Sequence, residues 1–279
     1  FADYKLEPEM AKTPARVRDL LLRVWEPAKR KALGDSAVLE AMLHADGIAG
    51  PLEAWDWRYY SEKRRLAEHD LDEAVLKPYL GLEAMLGAMF DCATRLFGLE
   101  FAPLDVPLYH PDCRAWEVRR GGQHIAVFIG DYYARGSKRS GAWCSDIRPQ
   151  RRLGGDQRPV VVNVCNFAKG DPCLLSYDDA RTLFHEFGHA LHQMLSNVTY
   201  GFISGTSVAR DFVELPSSCT NTGWRCLRCW KSMRGITKPA KRCPPICCTA
   251  CLRRDPMIRA LPRWSLCLLP WSIWRSTKA

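Results

Sequence analysis

In the segment HEFGHALH, His185 and His189 stand four residues apart, with Glu186 between them. On a helix, positions i and i+4 share a face, with Cβ atoms about 5–6 Å apart. Two imidazole nitrogens placed this way can meet one metal ion at roughly 2.0–2.1 Å. Glu186 follows His185 by one residue, so it points about 100° away around the helix. From there it can flank an ion without binding it, take a proton from water and pass it to a leaving amine. The same letters also arise as a helix with two surface histidines and an incidental glutamate. A third ligand and an open position are what separate the two readings.

One arrangement takes its third ligand from a histidine six residues beyond the second. Leu195 occupies that place, which excludes it. The other takes a glutamate from a second, downstream helix. The segment DFVELPS offers Asp211 and Glu214, three apart and therefore predicted to share one helical face. Glu214 is the expected ligand, and Asp211 is expected to orient a ligand histidine from behind. His192 falls on the same face as His185 and His189. A supporting role is expected for it, because three collinear histidines cannot surround one tetrahedral ion. His44, His69, His110 and His124 carry no metal spacing.

The element that must carry these residues is a long helix. Ser176 is its predicted cap, with Asp179 completing a capping box, and YDDARTLFHEFGHALHQML then runs with Gly188 as its only breaker. Ahead of it lie short β-branched and aromatic runs, RAWEVRR, QHIAVFIGDYYAR, SGAWCSDI and RPVVVNVCNF, separated by Gly- and Arg-rich turns. The N-terminal third reads as helices. Thr13 is a predicted N-cap with Pro14 at the first helical position, and GLEAMLGAMFDCATRLFG is apolar at helical spacing up to Gly98. The expected fold class is mainly α with a small β portion.

Charge and cysteine content divide the 279-residue chain at Ser218. Residues 1–218 carry 27 Lys and Arg against 30 Asp and Glu, whereas residues 219–279 carry 13 against one, Asp255. Five cysteines lie in the first part (Cys92, Cys113, Cys144, Cys165 and Cys173) and eight in the second. The first five lack paired spacing and are expected to be reduced thiols of a cytoplasmic protein. The runs KRK and EKRR are expected to be solvated helix faces. No membrane span is expected, since the longest apolar run, WSLCLLPWSIW, is short and interrupted by Pro270. The opening FADYKLEPEM shows no signal peptide and suggests an internal fragment.

TLFHEFGHALHQML followed by FISGTSVARDFVELPS resembles the thimet oligopeptidase family of zinc peptidases. LEAWDWRYYSEK, LKPYL, YHPDCRAWEV, SKRSGAWCSDIR and VVVNVCNF resemble its bacterial peptidyl-dipeptidase branch. The resemblance covers residues 1–218. It implies one zinc ion per chain held by His185, His189 and Glu214, with Glu186 as general base. It implies a zincin-like catalytic region belonging to a two-lobed helical peptidase, incomplete in this chain. Its channel would admit short unstructured peptides, and the branch releases dipeptides from a free C-terminus. GFISGTSV is similar to the family's glycine-rich cleft loop, where Gly201 and Gly205 would let the backbone lie close to a substrate strand. Neither nucleic acid nor membrane is an expected partner.

The family pattern continues after Pro-Ser as Gln-Leu-Tyr-Glu-His-Trp-Leu, whereas this chain continues Ser-Cys-Thr-Asn-Thr-Gly-Trp. Shifting the coding frame by one base permits Leu-Tyr-Glu-His-Trp-Leu. Residues 1–218 are therefore expected to form a partial metallopeptidase domain and residues 219–279 a frameshifted, non-native tail. In the family, His and Tyr residues of the replaced part stabilise the oxyanion, and such donors contribute about 10²–10³ in rate. A non-catalytic zinc-binding remnant is the alternative. A second alternative is a Cys-rich zinc module on nucleic acid, from Cys226-x-x-Cys229 and Cys248-x-x-Cys251 with the basic tail.

Overall fold

The computed structural model describes residues 1–69 and 76–223, with backbone alone at residues 69 and 221–223. The Cys-rich motifs therefore lie outside the described residues, as does nearly all of the basic tail. The chain divides into two compact units, Phe1–Asp72 and Glu73–Ala279.

The first unit is helical: α1 (Ala2–Leu6), α2 (Pro14–Ala45) and α3 (Asp56–His69). Thr13 caps α2 as expected. Its hydroxyl accepts a hydrogen bond from the Arg16 N–H, and Pro14 occupies the first turn, where its missing N–H costs nothing. The core of this unit is small: Leu39, Leu43 and Tyr60, with Met42 and Leu52 packed against them. Ion pairs between α3 and the α2 end, Arg64 to Asp35 at 2.9 Å and Lys63 to Asp46 at 2.5 Å, stitch its rim. The earlier turns of α2 leave Leu20, Leu21, Leu22, Val24 and Trp25 exposed.

The second unit is a mixed sheet with helices on one face. A 3₁₀ turn, Lys77–Tyr79, leads into α4 (Leu82–Phe97), which ends where Gly98 takes φ 66°, a left-handed cap that only glycine adopts without strain. The strands are β1 (Leu99–Leu104), β2 (Arg114–Arg120), β3 (Gln123–Tyr133), β4 (Trp143–Arg148) and β5 (Val160–Phe167), in the order β1-β2-β3-β5-β4. All neighbours are antiparallel except β3 and β5, which run parallel. The mainly helical expectation thus meets a five-stranded sheet, four of whose strands coincide with the predicted runs. β1 was not expected: Pro103 and the short LEFAPL pattern disguise it.

Period-two alternation sorts the sheet's two faces. Cys113, Ala115, Ile129, Val162 and Val164 form a cluster on one. On the other, Phe101, Trp116 and Phe128 meet Phe90 of α4 and Phe187 of the next helix, α5 (Tyr177–Met194). Ring centroids there lie 4.2–6.3 Å apart. Phe187 is thus the anchor that seats α5 on the sheet, edge-on to Phe128 at 5.5 Å. The α5 N-terminus is the expected capping box: Ser176 Oγ accepts from the Asp179 N–H, and Asp179 Oδ2 accepts from the Ser176 N–H, both at 3.0 Å. A 3₁₀ turn, Gly201–Ile203, and α6 (Glu214–Gly223) complete the described chain. Among the described residues, none of the five expected thiols nor Cys219 is in a disulfide. No described helix is long and apolar enough to cross a membrane.

Candidate metal centre

His185 and His189 occupy successive turns of α5, their rings 4.9 Å apart and nearly perpendicular. Glu214, the first residue of α6, points between them: its Oε2 lies 3.2 Å from His185 Nε2 and 3.3 Å from His189 Nε2. Among the described residues these three form the one cluster able to hold a metal, with ligand atoms within 4.8 Å of one another. Ligands at about 2.0–2.2 Å from a tetrahedral ion stand about 3.3 Å from each other. The nitrogen–oxygen separations match that edge, so the residues fit a metal ion.

Two features bring α6 close enough. A Cβ on Gly188 would lie 2.6 Å from the Cα of Ser217, so the glycine in HEFGH is what lets the two helices touch. Ser217, fully buried, then donates its hydroxyl to Glu214 Oε2 at 3.1 Å and to the Glu214 carbonyl at 2.8 Å, which fixes the carboxylate's direction. The sequence singled out Gly188 only as a breaker and passed over Ser217. The signal for both was their spacing: Gly188 lies between the histidines, and Ser217 three residues after the ligand.

Glu186 is 7 % exposed. Burial, with the Glu214 charge second, raises its carboxyl to about 7, which makes it a base poised near neutrality. Burial is also the main cause lowering His189, which keeps its imidazole neutral and available to a metal. His192 is lowered by burial and by the neighbouring His189. It is not one of the clustered ligands; its ring meets Phe212 edge-on at 6.2 Å, and its buried Nδ1 has no hydrogen-bond partner among the described residues.

Asp211 corrects the expectation of a shared helical face with Glu214. The chain is still turning through residues 211–213, with Phe212 and Val213 both bonded to the Ala209 carbonyl, and helix begins only at Glu214. Among the described residues, the buried Nδ1 of His189 has no hydrogen-bond partner. Gly205 has φ 56°, and a Cβ there would meet Gln193 Cα at 3.0 Å, so the loop presses against α5 at that point. Gly201 faces Arg151 and Pro149 at ordinary contact distances.

Gln193 was not singled out from the sequence, yet it ties the site together. Its Oε1 accepts from the Cys144 thiol of β4 at 3.7 Å, and its Nε2 donates to Thr206 Oγ1 at 3.0 Å. Ser196 Oγ accepts from the Gly205 N–H at 3.0 Å and lies 3.2 Å from Ser204 Oγ. The end of α5 thus grips both the 201–206 loop and the edge strand. Its signal was weak: a glutamine one turn after His189, with no metal chemistry of its own.

Fold and site together define a chain with a two-histidine, one-glutamate metal cradle on paired helices, and a buried carboxyl beside it. The model of Peptidase family M3 matches residues 1–224, and the chain belongs to that family. It is 41% identical over 230 residues to the dipeptidyl carboxypeptidase of Salmonella typhimurium, covering 80% of this chain and 34% of that protein. It is 35% identical over 239 residues to oligopeptidase A of Escherichia coli, covering 83% of this chain and 34% of the relative. Organellar oligopeptidase A of Arabidopsis thaliana is 33% identical over 232 residues, 78% of this chain and 29% of its own length. The chain spans about a third of the length of these relatives. The family match and helix α6 both continue a few residues past Ser218, to 224 and Gly223.

Proposed function

We propose that this chain carries the zinc-binding catalytic segment of a peptidase that hydrolyses short unstructured peptides, in the manner of dipeptide release from a free C-terminus. The observation that carries this reading is the convergence of His185, His189 and Glu214 beside the buried carboxyl of Glu186. Two histidines and a glutamate are a donor set of catalytic zinc sites, where the ion supplies Lewis acidity toward water and a peptide carbonyl. Glu186 holds the proton taken from the attacking water and returns it to the leaving amine; a carboxyl near 7 serves both halves of that transfer.

The sheet offers a place for the peptide. Among the described strands, β4 pairs with β5 alone, so its other edge has main-chain groups for an extended peptide to bond. Cys144 on β4 reaches Gln193, one turn beyond His189, which places this edge alongside the metal helix. The loop containing Gly201 and Gly205 is proposed to border the same substrate strand.

The test is twofold. Zinc content after dialysis should be one ion per chain and fall on His189→Ala. A quenched peptide with a free C-terminus should be cleaved two residues from that end, and its amidated form spared. Zinc bound without hydrolysis by a chain restored to the relatives' full length would identify a non-catalytic remnant instead. No zinc bound would refute the site.

A further inference from the structure

Outside the metal centre, and among the described residues, four buried polar atoms of Arg114, Tyr132 and Asn163 lack partners, on three adjoining strands. Arg114 of β2, Gly130 of β3 and Asn163 of β5 are direct Cα partners across the sheet. Alternation puts all three on the helix-covered face, since Trp116, Phe128 and Val161, two residues away on each strand, point there. Gly130 has no side chain of its own. Tyr132 folds back over it, so closely that a Cβ on Gly130 would collide with the hydroxyl end of the Tyr132 ring. The phenol end therefore lies over the Gly130 position, in the row between Arg114 and Asn163. Arg114 Nη2, Tyr132 Oη and both polar atoms of the Asn163 amide are buried without a hydrogen bond, and Tyr132 and Asn163 are wholly inaccessible.

Each such group, if left unpaired, gives up its bonds to water with nothing in exchange. Four unpaired atoms scattered through a core would be defects. Four in adjacent positions are the wall of a site. Each of these atoms needs a partner at about 2.8–3.0 Å, and one small molecule lying among them supplies several such bonds at once.

We infer that Arg114, Tyr132 and Asn163 enclose a buried water-binding site built into the sheet beneath the metal helix. Water is favoured over an anion on two grounds. The Asn163 amide presents an unmet acceptor as well as a donor, whichever way it is turned, and only a molecule that both gives and takes hydrogen bonds satisfies both. The Arg114 charge is already met by Glu83, at 2.9 Å from its other terminal nitrogen. A water with three or four polar neighbours meets the usual requirement for a buried one. The row also continues to Cys144, the β4 partner of Asn163, and through its thiol to Gln193 of α5. Hydration of the row thus keeps a polar seam in register across four strands up to the metal helix.

The experiment is a crystal structure of the complete chain at about 1.5 Å, with a second crystal from bromide-substituted solution. The expected result is a water-sized peak about 2.6–3.2 Å from Tyr132 Oη and an Asn163 amide atom, with no anomalous bromide signal. In crystals of Asn163→Leu the peak should be lost while the Arg114–Glu83 pair remains. A dry site in the unaltered chain overturns the inference. So does a bromide peak, which would make it a halide site, or a peak undisturbed by Asn163→Leu. If that variant does not fold, the unaltered chain alone decides.

Discussion

Gly188→Ala tests whether the metal centre depends on how closely two helices approach. Alanine is the better helix former, by about 1 kcal/mol, so in open space the change stabilises. Gly34, inside α2, has nothing within 4 Å of where an added methyl would sit and supplies the control: Gly34→Ala should raise the thermal midpoint. At Gly188 the new Cβ would meet backbone, Ser217 Cα at 2.6 Å, and Thr220 Oγ1 at 2.9 Å. Carbon atoms rest about 3.5–4.0 Å apart, so α6 must retreat by about 1 Å. That strain costs about 1–3 kcal/mol, which cancels or exceeds the propensity gain. Glu214 travels with α6, and the 3.2 and 3.3 Å separations open beyond the reach of one ion. Sites of this kind tolerate roughly 0.5 Å. Zinc affinity, measured by competition with a chromophoric chelator, should fall at least about 10-fold, or about 1.4 kcal/mol. Unchanged affinity with a raised midpoint, as at Gly34, would refute the reasoning.

Glu186→Gln should keep zinc and abolish hydrolysis, checked by metal analysis beside a peptide assay; retained turnover would remove Glu186 from the chemistry. His189→Ala should lose the metal, weakening zinc binding at equilibrium dialysis by orders of magnitude. In the metal-free chain the raised Glu186 carboxyl makes the folded state hold its proton longer than the unfolded one. The contribution of this group to stability is therefore full below about 4.5 and declines as pH rises toward about 7. Urea midpoints at pH 5 and 8 should show that decline and lose it in Glu186→Gln; an identical pH dependence in both would count against it. Phe187→Ala should cost about 3–5 kcal/mol by chemical denaturation, since it removes the ring at the centre of the aromatic cluster.

The metal helix was legible because its signals are local. A capping box, a 3.6-residue apolar stripe and two histidines one turn apart all lie within α5, and Ser176, His185 and His189 fall where the spacing put them. Glu214 was legible through the family pattern, but its approach to α5 depends on a contact between Gly188 and Ser217, 29 positions apart, which no periodicity encodes. The helical face expected to be shared by Asp211 and Glu214 failed for a related reason. Spacing of three implies a shared face only if helix has already begun, and the Ala209 carbonyl holds residues 212 and 213 in a turn. β1 and the parallel β3–β5 pairing were hidden because strand order is set by tertiary packing. The expected frameshift at Ser218 is open to a direct check: independent resequencing of the coding DNA should restore one base, and an unchanged read would refute a sequencing origin.

The edge of β4 left unpaired among the described strands carries a cost beside the use proposed for it. A strand edge that can accept a peptide can equally accept the same strand from a second molecule, and such pairing is a common start of aggregation. The strand carries its own deterrents. Asp146 and Arg148 are exposed, and the β5 pairing slips between them, a bulge that twists the edge away from a flat partner. Guarding of this kind favours a brief, single-stranded guest over a long sheet-forming one. Neutralising both charges should therefore make the chain self-associate before it alters the metal centre.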